Sequence, residues 1–132
     1  MIWTKNKQTF AATQCLKTGK PCPALARMVD RLATAMSSAR SVTAADFEIE
    51  GSAQLFHCGQ DCTALYRANH ARIRMYAGVA ETTDLDVMGR YADAMMDPEG
   101  RGFPAPGIAP PCAMVEARLP RAEQENTAQA AV

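Results

Sequence analysis

The feature that most restricts the fold is an amphipathic helix that the sequence places between two strands. Apolar side chains recur every three or four residues, at Leu25, Met28, Val29, Leu32, Ala33 and Met36. Pro23 suits the first turn of this helix, where its missing N–H breaks no helical hydrogen bond. Residues 9–14 have the composition of a short strand, and residues 47–55 alternate apolar and polar side chains. A strand-helix-strand order predicts a right-handed crossover between two parallel neighbouring strands.

The segments that follow complete the predicted set of elements. Residues 63–68 suit one or two helical turns, and residues 72–77 alternate as a further strand. Thr83 or Asp84 can cap a second helix, whose apolar stripe is Leu85, Met88, Ala92, Met95 and Met96. The pattern therefore predicts an α/β fold, with a mixed sheet of three to four strands and two main helices.

A change in composition near residue 97 predicts the end of the domain. Residues 97–111 hold five of the eight prolines and three of the eight glycines, without periodicity. Residues 112–119 are apolar enough to dock back as a short strand or helix, whereas residues 121–132 are polar and rich in alanine. We expect a domain over residues 1–96, followed by a proline- and glycine-rich wrap and a flexible tail over residues 97–132.

Composition and the cysteine count narrow the range of functions. The 132 residues are 48% apolar and 21% charged, which is typical of a globular domain that builds its own core. The sequence has no run of eighteen apolar residues and no apolar stretch at its N-terminus, so we expect a cytoplasmic protein that does not enter a membrane. Thiols stay reduced in the cytoplasm. Five cysteines in that compartment indicate metal binding or redox chemistry.

Other function classes find no support in the sequence. It has no phosphate-binding glycine loop, Ser/His/Asp arrangement or apolar carboxylate pair, so we expect a protein that is not an enzyme. It also has no basic aromatic strip for nucleic acid. A homodimer is compatible with the sequence.

Charge is distributed unevenly along the chain. Seven Lys/Arg and one acidic residue give residues 1–45 a charge of +6, whereas seven Lys/Arg and thirteen Asp/Glu give residues 46–132 a charge of −6. The basic part includes Lys17 and Lys20 and could attract an acidic protein partner. Simple solvation of both surfaces would produce the same distribution.

Four cysteines have a spacing that suits one shared site, Cys15-x6-Cys22-x35-Cys58-x3-Cys62. Cys15 follows the first predicted strand and Cys22 opens the first helix. Cys58 follows the second strand and Cys62 begins the next segment. Parallel strands joined by a crossover end at the same edge of a sheet, so thiols from the two loops can meet there. Four thiolates are the usual ligands of an iron–sulfur cluster, and nearby helix N-termini stabilise thiolates.

The pattern Cys22-x35-Cys58-x3-Cys62 resembles that of the thioredoxin-like [2Fe-2S] ferredoxins, which include the small cluster-bearing subunit of respiratory complex I. It also resembles a family of short bacterial proteins described as predicted metal-binding and ferredoxin-like. The resemblance covers residues 9–36, 47–62 and 73–96, with a weaker likeness in the proline-rich ending. It implies a thioredoxin-like fold and a [2Fe-2S] cluster held by Cys15, Cys22, Cys58 and Cys62. The protein would then be an electron carrier or a cluster-holding accessory protein with a redox partner.

Two departures from that pattern leave alternatives open. The x6 spacing of the first pair is unusual, and residues 63–66 lack the glycine and proline expected near a cluster. Zinc or another metal could bind the same thiols, although x6 fits four-cysteine zinc sites poorly. The cysteines could also be ordinary reduced residues of a clusterless thioredoxin-like interaction domain.

Three further residues could in principle act as ligands. Cys112 follows Pro110-Pro111 and is expected to be unliganded. His57 adjoins Cys58 and could replace a thiolate, as histidine does in some [2Fe-2S] proteins, although a solvated neighbour is the simpler interpretation. His70 is expected in a surface turn.

Overall fold

The computed structural model describes residues 2–55, 62–80, 82–95 and 111–119, which form six strands, two helices and one 3₁₀ turn at Arg40–Val42. The strands are β1 (Ile2–Lys5), β2 (Gln8–Ala12), β3 (Glu48–Leu55), β4 (Cys62–Asn69), β5 (Arg72–Ala77) and β6 (Ala113–Arg118). The helices are α1 (Pro23–Ala39) and α2 (Leu85–Met95). Within these described ranges, neither helix has the length and apolar character that crossing a membrane requires.

The six strands form one antiparallel sheet in the order β1-β2-β6-β5-β4-β3. The predicted thioredoxin-like mixed sheet of three to four strands is therefore wrong. The predicted parallel pair is also wrong, because β6, β5 and β4 lie between β2 and β3. Each of the four pairings from β2 to β3 reverses the strand direction. As a result β2 and β3 run the same way, and their C-terminal ends lie at the same end of the sheet.

The elements with clear periodicity were predicted correctly. Helix α1 covers one face of the sheet with the buried side chains Leu25, Val29, Ala33 and Met36. They form one core with alternate residues of the central strands, including Ile73, Met75, Val115 and Ala117. Strands β3 and β5 and helix α2 also occur where the sequence predicts them, and the first predicted strand is β2.

Helix α2 covers the opposite face of the sheet. Its Met88 and Ala92 pack against Tyr76 and Met114, which are cross-strand partners in β5 and β6. Since successive strand residues point to opposite faces, β5 and β6 contribute to both cores. The result is three layers, with α1 and α2 on either side of the sheet.

A buried ion pair joins β5 to β6 beneath α2. Arg74 Nε lies 2.7 Å from Glu116 Oε2, and the two side chains are only 8% and 5% exposed. Arg74 also donates to the carbonyl of Gly89 in α2 at 3.1 Å and pairs with Asp93 at 2.7 Å. The guanidinium of Arg74 thus has partners in both β6 and α2. It can therefore remain buried while it fixes α2 to the sheet.

Strand β4 replaces the helical turns predicted over residues 63–68. Ala64, Leu65 and Ala68 are all buried. Leu65 points to the opposite face from Ala64 and Ala68, since strand side chains alternate. A strand covered on both faces lacks the clean polar alternation that identifies a half-buried strand, so its sequence is ambiguous.

Strand β6 lies in the segment that the sequence assigned to the wrap. Residues 113–118 pair with both β2 and β5, so β6 is an interior strand. The docked strand or helix expected over residues 112–119 is thus a strand, and the sheet continues beyond the predicted boundary at residue 96.

Candidate metal centre

One end of the sheet brings together the ends of several strands. The loop after β2 is tied to the start of β6, where the Leu16 N–H donates to the Cys112 carbonyl at 2.8 Å. The Cys112 N–H donates to the carbonyl of Ala77, the last residue of β5, also at 2.8 Å. The Gly78 N–H donates to the Thr63 carbonyl of β4 at 2.8 Å. These bonds fix the relative positions of the cysteines that this end carries.

A cavity of about 240 Å³ lies at this end, and four cysteines line it. They are Cys15, Cys22, Cys62 and Cys112, each of them partly buried. The other lining residues are Lys17, Thr18, Lys20, Pro21, Pro23, Leu55, Ala77 and Ala113. The site is therefore a thiol-rich cavity with mainly apolar walls and two lysines at one side.

Cys15 is held in a tight loop between β2 and α1. Its N–H donates to the Lys20 carbonyl at 2.9 Å, and its own carbonyl accepts from the Gly19 N–H at 2.7 Å. Gly19 has a φ of +72°, a conformation that glycine adopts without steric cost. The loop thereby turns its backbone amides toward the cysteine.

The environment of Cys15 favours its thiolate. Burial raises the pKa of the Cys15 thiol. This effect is outweighed by hydrogen bonds from the backbones of Thr18 and Lys17 and from the Thr18 hydroxyl, together with the positive charge of Lys17. The pKa of Cys15 therefore lies below its usual value. Thiolate is the form that binds metals and attacks electrophiles.

Cys22 is the residue immediately before α1. Its extended backbone, with φ −88° and ψ 112°, precedes Pro23, and its carbonyl accepts the N–H of Ala26 at 3.1 Å. Cys22 therefore places its thiol at the point where the loop after β2 enters α1, a helix of 17 residues.

Cys62 and Cys112 each precede or begin a strand of the sheet. Cys62 is the first residue of β4 and pairs with Leu55, the last residue of β3. Cys112 comes directly before β6, whose first residue, Ala113, pairs with Ala77. Both thiols are therefore attached to regular, paired backbone.

The predicted ligand set can be compared with this arrangement residue by residue. Cys15, Cys22 and Cys62 line the same cavity, as the shared site requires. Cys58 and His57 fall within residues 56–61, outside the described residues. No group of three His, Cys, Asp or Glu side chains in the described part of the chain is arranged to hold a single metal ion.

The sequence interpretation missed the position of Cys112. It treated the residue as part of a trailing tail, because the proline-rich stretch before it gave no sign of where the chain returns to the sheet. The alternation of Met114 and Glu116 with Val115 and Ala117 does suggest a strand start at this point. It does not reveal which strands lie beside it.

His70 lies far from the cavity along the sheet, in the turn between β4 and β5. Its Nε2 is 2.8 Å from Thr43 Oγ1 and 3.0 Å from the Ala44 carbonyl. Its ring also packs against Phe47, with ring centroids 5.9 Å apart. These contacts indicate a structural role in joining the turn to residues 43–47.

No protein-family model, curated protein or solved structure matches this chain.

Proposed function

We propose that this protein is a metal-binding protein that holds a [2Fe-2S] cluster, as a one-electron carrier or a cluster-holding accessory protein rather than an enzyme. The observation that carries the proposal is the shared cavity lined by Cys15, Cys22 and Cys62. Cys15 and Cys22 come from the connection between β2 and α1, whereas Cys62 begins β4, 40 residues farther along the chain. Cys58, four residues before Cys62, stays a ligand predicted from the sequence.

The shape of the cavity favours a cluster over a single ion. A zinc ion needs its sulfur ligands about 2.3 Å from one point, so the sulfurs must crowd together. Three of the predicted ligand thiols line a space of about 240 Å³, which is wider than one ion requires. A two-iron cluster separates its ligand pairs and fits a wider thiol-lined space better.

The chemistry of the donor set also fits this cofactor. When bound, a [2Fe-2S] cluster supplies one-electron chemistry. The loop around Cys15 favours its thiolate, the form that binds iron. Leu55, Ala77 and Ala113 form apolar walls that limit access of water to the site.

The surface beside the cavity suits the approach of a partner protein. Leu16 is 72% exposed next to Cys15, and Lys17 and Lys20 line the same side of the cavity. An exposed apolar side chain flanked by two lysines complements an acidic partner with an apolar contact point. Electron exchange would then occur at the end of the sheet that carries the cysteines.

Spectroscopy of protein purified without oxygen tests this function. We expect red-brown protein with visible absorption that bleaches on reduction, and an EPR signal from the reduced form. Cys62→Ser should lose most of the absorption and the EPR signal. Thr63→Ser is the matched control, because it changes the next residue of β4 but keeps the hydroxyl that Gln54 contacts.

The other outcomes distinguish the remaining functions. Colourless wild-type protein with about one zinc per chain would identify a zinc-binding accessory protein instead. Wild-type protein that folds without any metal would indicate an interaction domain, and the cysteine-ligated centre would be rejected.

A further inference from the structure

We propose that Cys112 is a ligand of the metal centre, and that it completes a set of four thiols with Cys15, Cys22 and Cys62. The proposal rests on the proposed function, since it assigns a ligand to the same site. All four residues line one cavity, although Cys112 is 50 positions from Cys62 in the sequence. The sequence alone predicts that Cys112 is unliganded.

The backbone of Cys112 is fixed on both sides of the residue. Its N–H donates to the Ala77 carbonyl at the end of β5, and its carbonyl accepts the N–H of Leu16, the residue after Cys15. Both bonds are 2.8 Å long. Cys112 is therefore held between the loop that carries Cys15 and the end of β5.

The side chain of Cys112 occupies space that Gly78 leaves free. A Cβ atom at Gly78 would overlap both Sγ and Cβ of Cys112. Gly78 also donates its N–H to the carbonyl of Thr63, the residue after Cys62. One glycine thus contacts the Cys112 side chain and binds the strand that begins with Cys62.

The count of thiols matches the chemistry. Four thiolates satisfy a [2Fe-2S] cluster, and four of the five cysteines line this one cavity among the described residues. They come from the loop after β2, the start of α1, the start of β4 and the start of β6, so each belongs to a different backbone segment. A cluster held by this set leaves no ligand position for Cys58, so the proposal replaces the fourth ligand that the sequence predicts.

Alkylation of the wild-type protein tests the proposal without a mutation. Anaerobic loaded protein and protein stripped with a chelator are treated with iodoacetamide, and each modified cysteine is identified by mass spectrometry. We expect Cys112 to be protected at least tenfold in the loaded form. Equal alkylation rates at Cys112 in the two forms would overturn the proposal.

Single substitutions provide the second measurement. Cys112→Ser should lose most of its iron and visible absorption, whereas Cys58→Ser should retain them. Thr13→Ser is the control, because Thr13 contacts the backbone of Met114 at the same end of β6 but carries no thiol. If Cys112→Ser keeps the wild-type iron content, Cys112 is not a ligand, but the proposed [2Fe-2S] function still stands. If the wild-type protein itself is free of metal, both the Cys112 proposal and the proposed function are rejected.

Discussion

Cys112 and Gly78 are in direct contact at the end of the sheet, and the Cys112 sulfur lies where a side chain of residue 78 would begin. Gly78 has a φ of +76°, so its backbone conformation also disfavours any residue with a Cβ atom. The glycine therefore allows the chain to leave β5 and allows the thiol to reach the cavity.

Gly78→Ala should destabilise the protein for both reasons. The left-handed backbone and the displaced sulfur together should lower the free energy of unfolding by about 2–4 kcal/mol. Gly89→Ala is the matched control, because it lies within α2 and an added Cβ would meet no atom within 4 Å. Alanine there should raise stability by about 0.5–1 kcal/mol. Chemical denaturation measures both changes, and a Gly78→Ala variant as stable as the wild type would contradict the contact.

Glu116 should make stability depend on pH in the acidic range. Burial raises the pKa of Glu116, but hydrogen bonds and charges from Arg118 and Arg74 outweigh burial and leave the pKa below its usual value. As the pH falls, Glu116 therefore takes up its proton in the unfolded chain at a higher pH than in the folded protein. The stabilisation is complete above the pKa of the unfolded state, and it is lost as the pH falls through the lower pKa of the folded state.

Glu116→Gln should remove this part of the pH dependence and destabilise the protein at pH 7. Arg74 would keep its buried charge with Asp93 as its remaining carboxylate partner, at a cost of about 1–3 kcal/mol. Glu50→Gln is the control, since Glu50 pairs with Arg67 at the surface and should change stability by less than about 1 kcal/mol. Equal losses in the two variants, measured by denaturation from pH 3 to pH 7, would contradict the role of the buried pair.

The Cys15 thiol should ionise below its usual pH in the metal-free protein. Thr18→Val removes the hydroxyl contribution and should shift the midpoint of the alkylation rate toward higher pH. Lys5→Met is the control, because Lys5 pairs with Asp30 rather than with the Cys15 loop. An unchanged midpoint in Thr18→Val would show that the hydroxyl does not stabilise the thiolate.

Lys7→Gly should stabilise the hairpin between β1 and β2. Asn6 and Lys7 both have positive φ, 53° and 66°, which is the geometry of a type I′ turn. Glycine suits the second position of this turn far better than lysine does. The Lys7 side chain is exposed, so its removal costs little packing. We expect a gain of about 0.5–1 kcal/mol in thermal or chemical denaturation, and a loss of stability would contradict the turn assignment.

The same hairpin illustrates which elements the sequence could reveal. Helix α1 and strand β3 have strong periodicities of 3.6 and 2, and they were predicted. Strand β1 was missed, because Asn6-Lys7 lacks the glycine that usually signals a two-residue hairpin. Strand β4 was misassigned, because apolar residues cover both of its faces.

The sequence predicts Cys15, Cys22 and Cys62 at one end of the sheet, where they lie, but it does so from a topology that was wrong. Three antiparallel strands separate β2 from β3, so these two strands run the same way without pairing directly. Cys15 follows the end of β2, and Cys62 pairs with the end of β3, so both lie at one end of the sheet. The location of Cys112 beside the other cysteines was not predicted, because the placement of β6 between β2 and β5 depends on pairings that are distant in sequence. No local pattern near residue 112 encodes that position.

Metal and sulfide analysis of anaerobically purified wild-type protein tests directly whether the cavity holds a [2Fe-2S] cluster. We expect iron and acid-labile sulfide in equal amounts, about two of each per chain, with little zinc. Protein that contains neither iron nor sulfide, whether it carries zinc or no metal, would contradict the assignment of a [2Fe-2S] cluster to this cysteine-lined cavity.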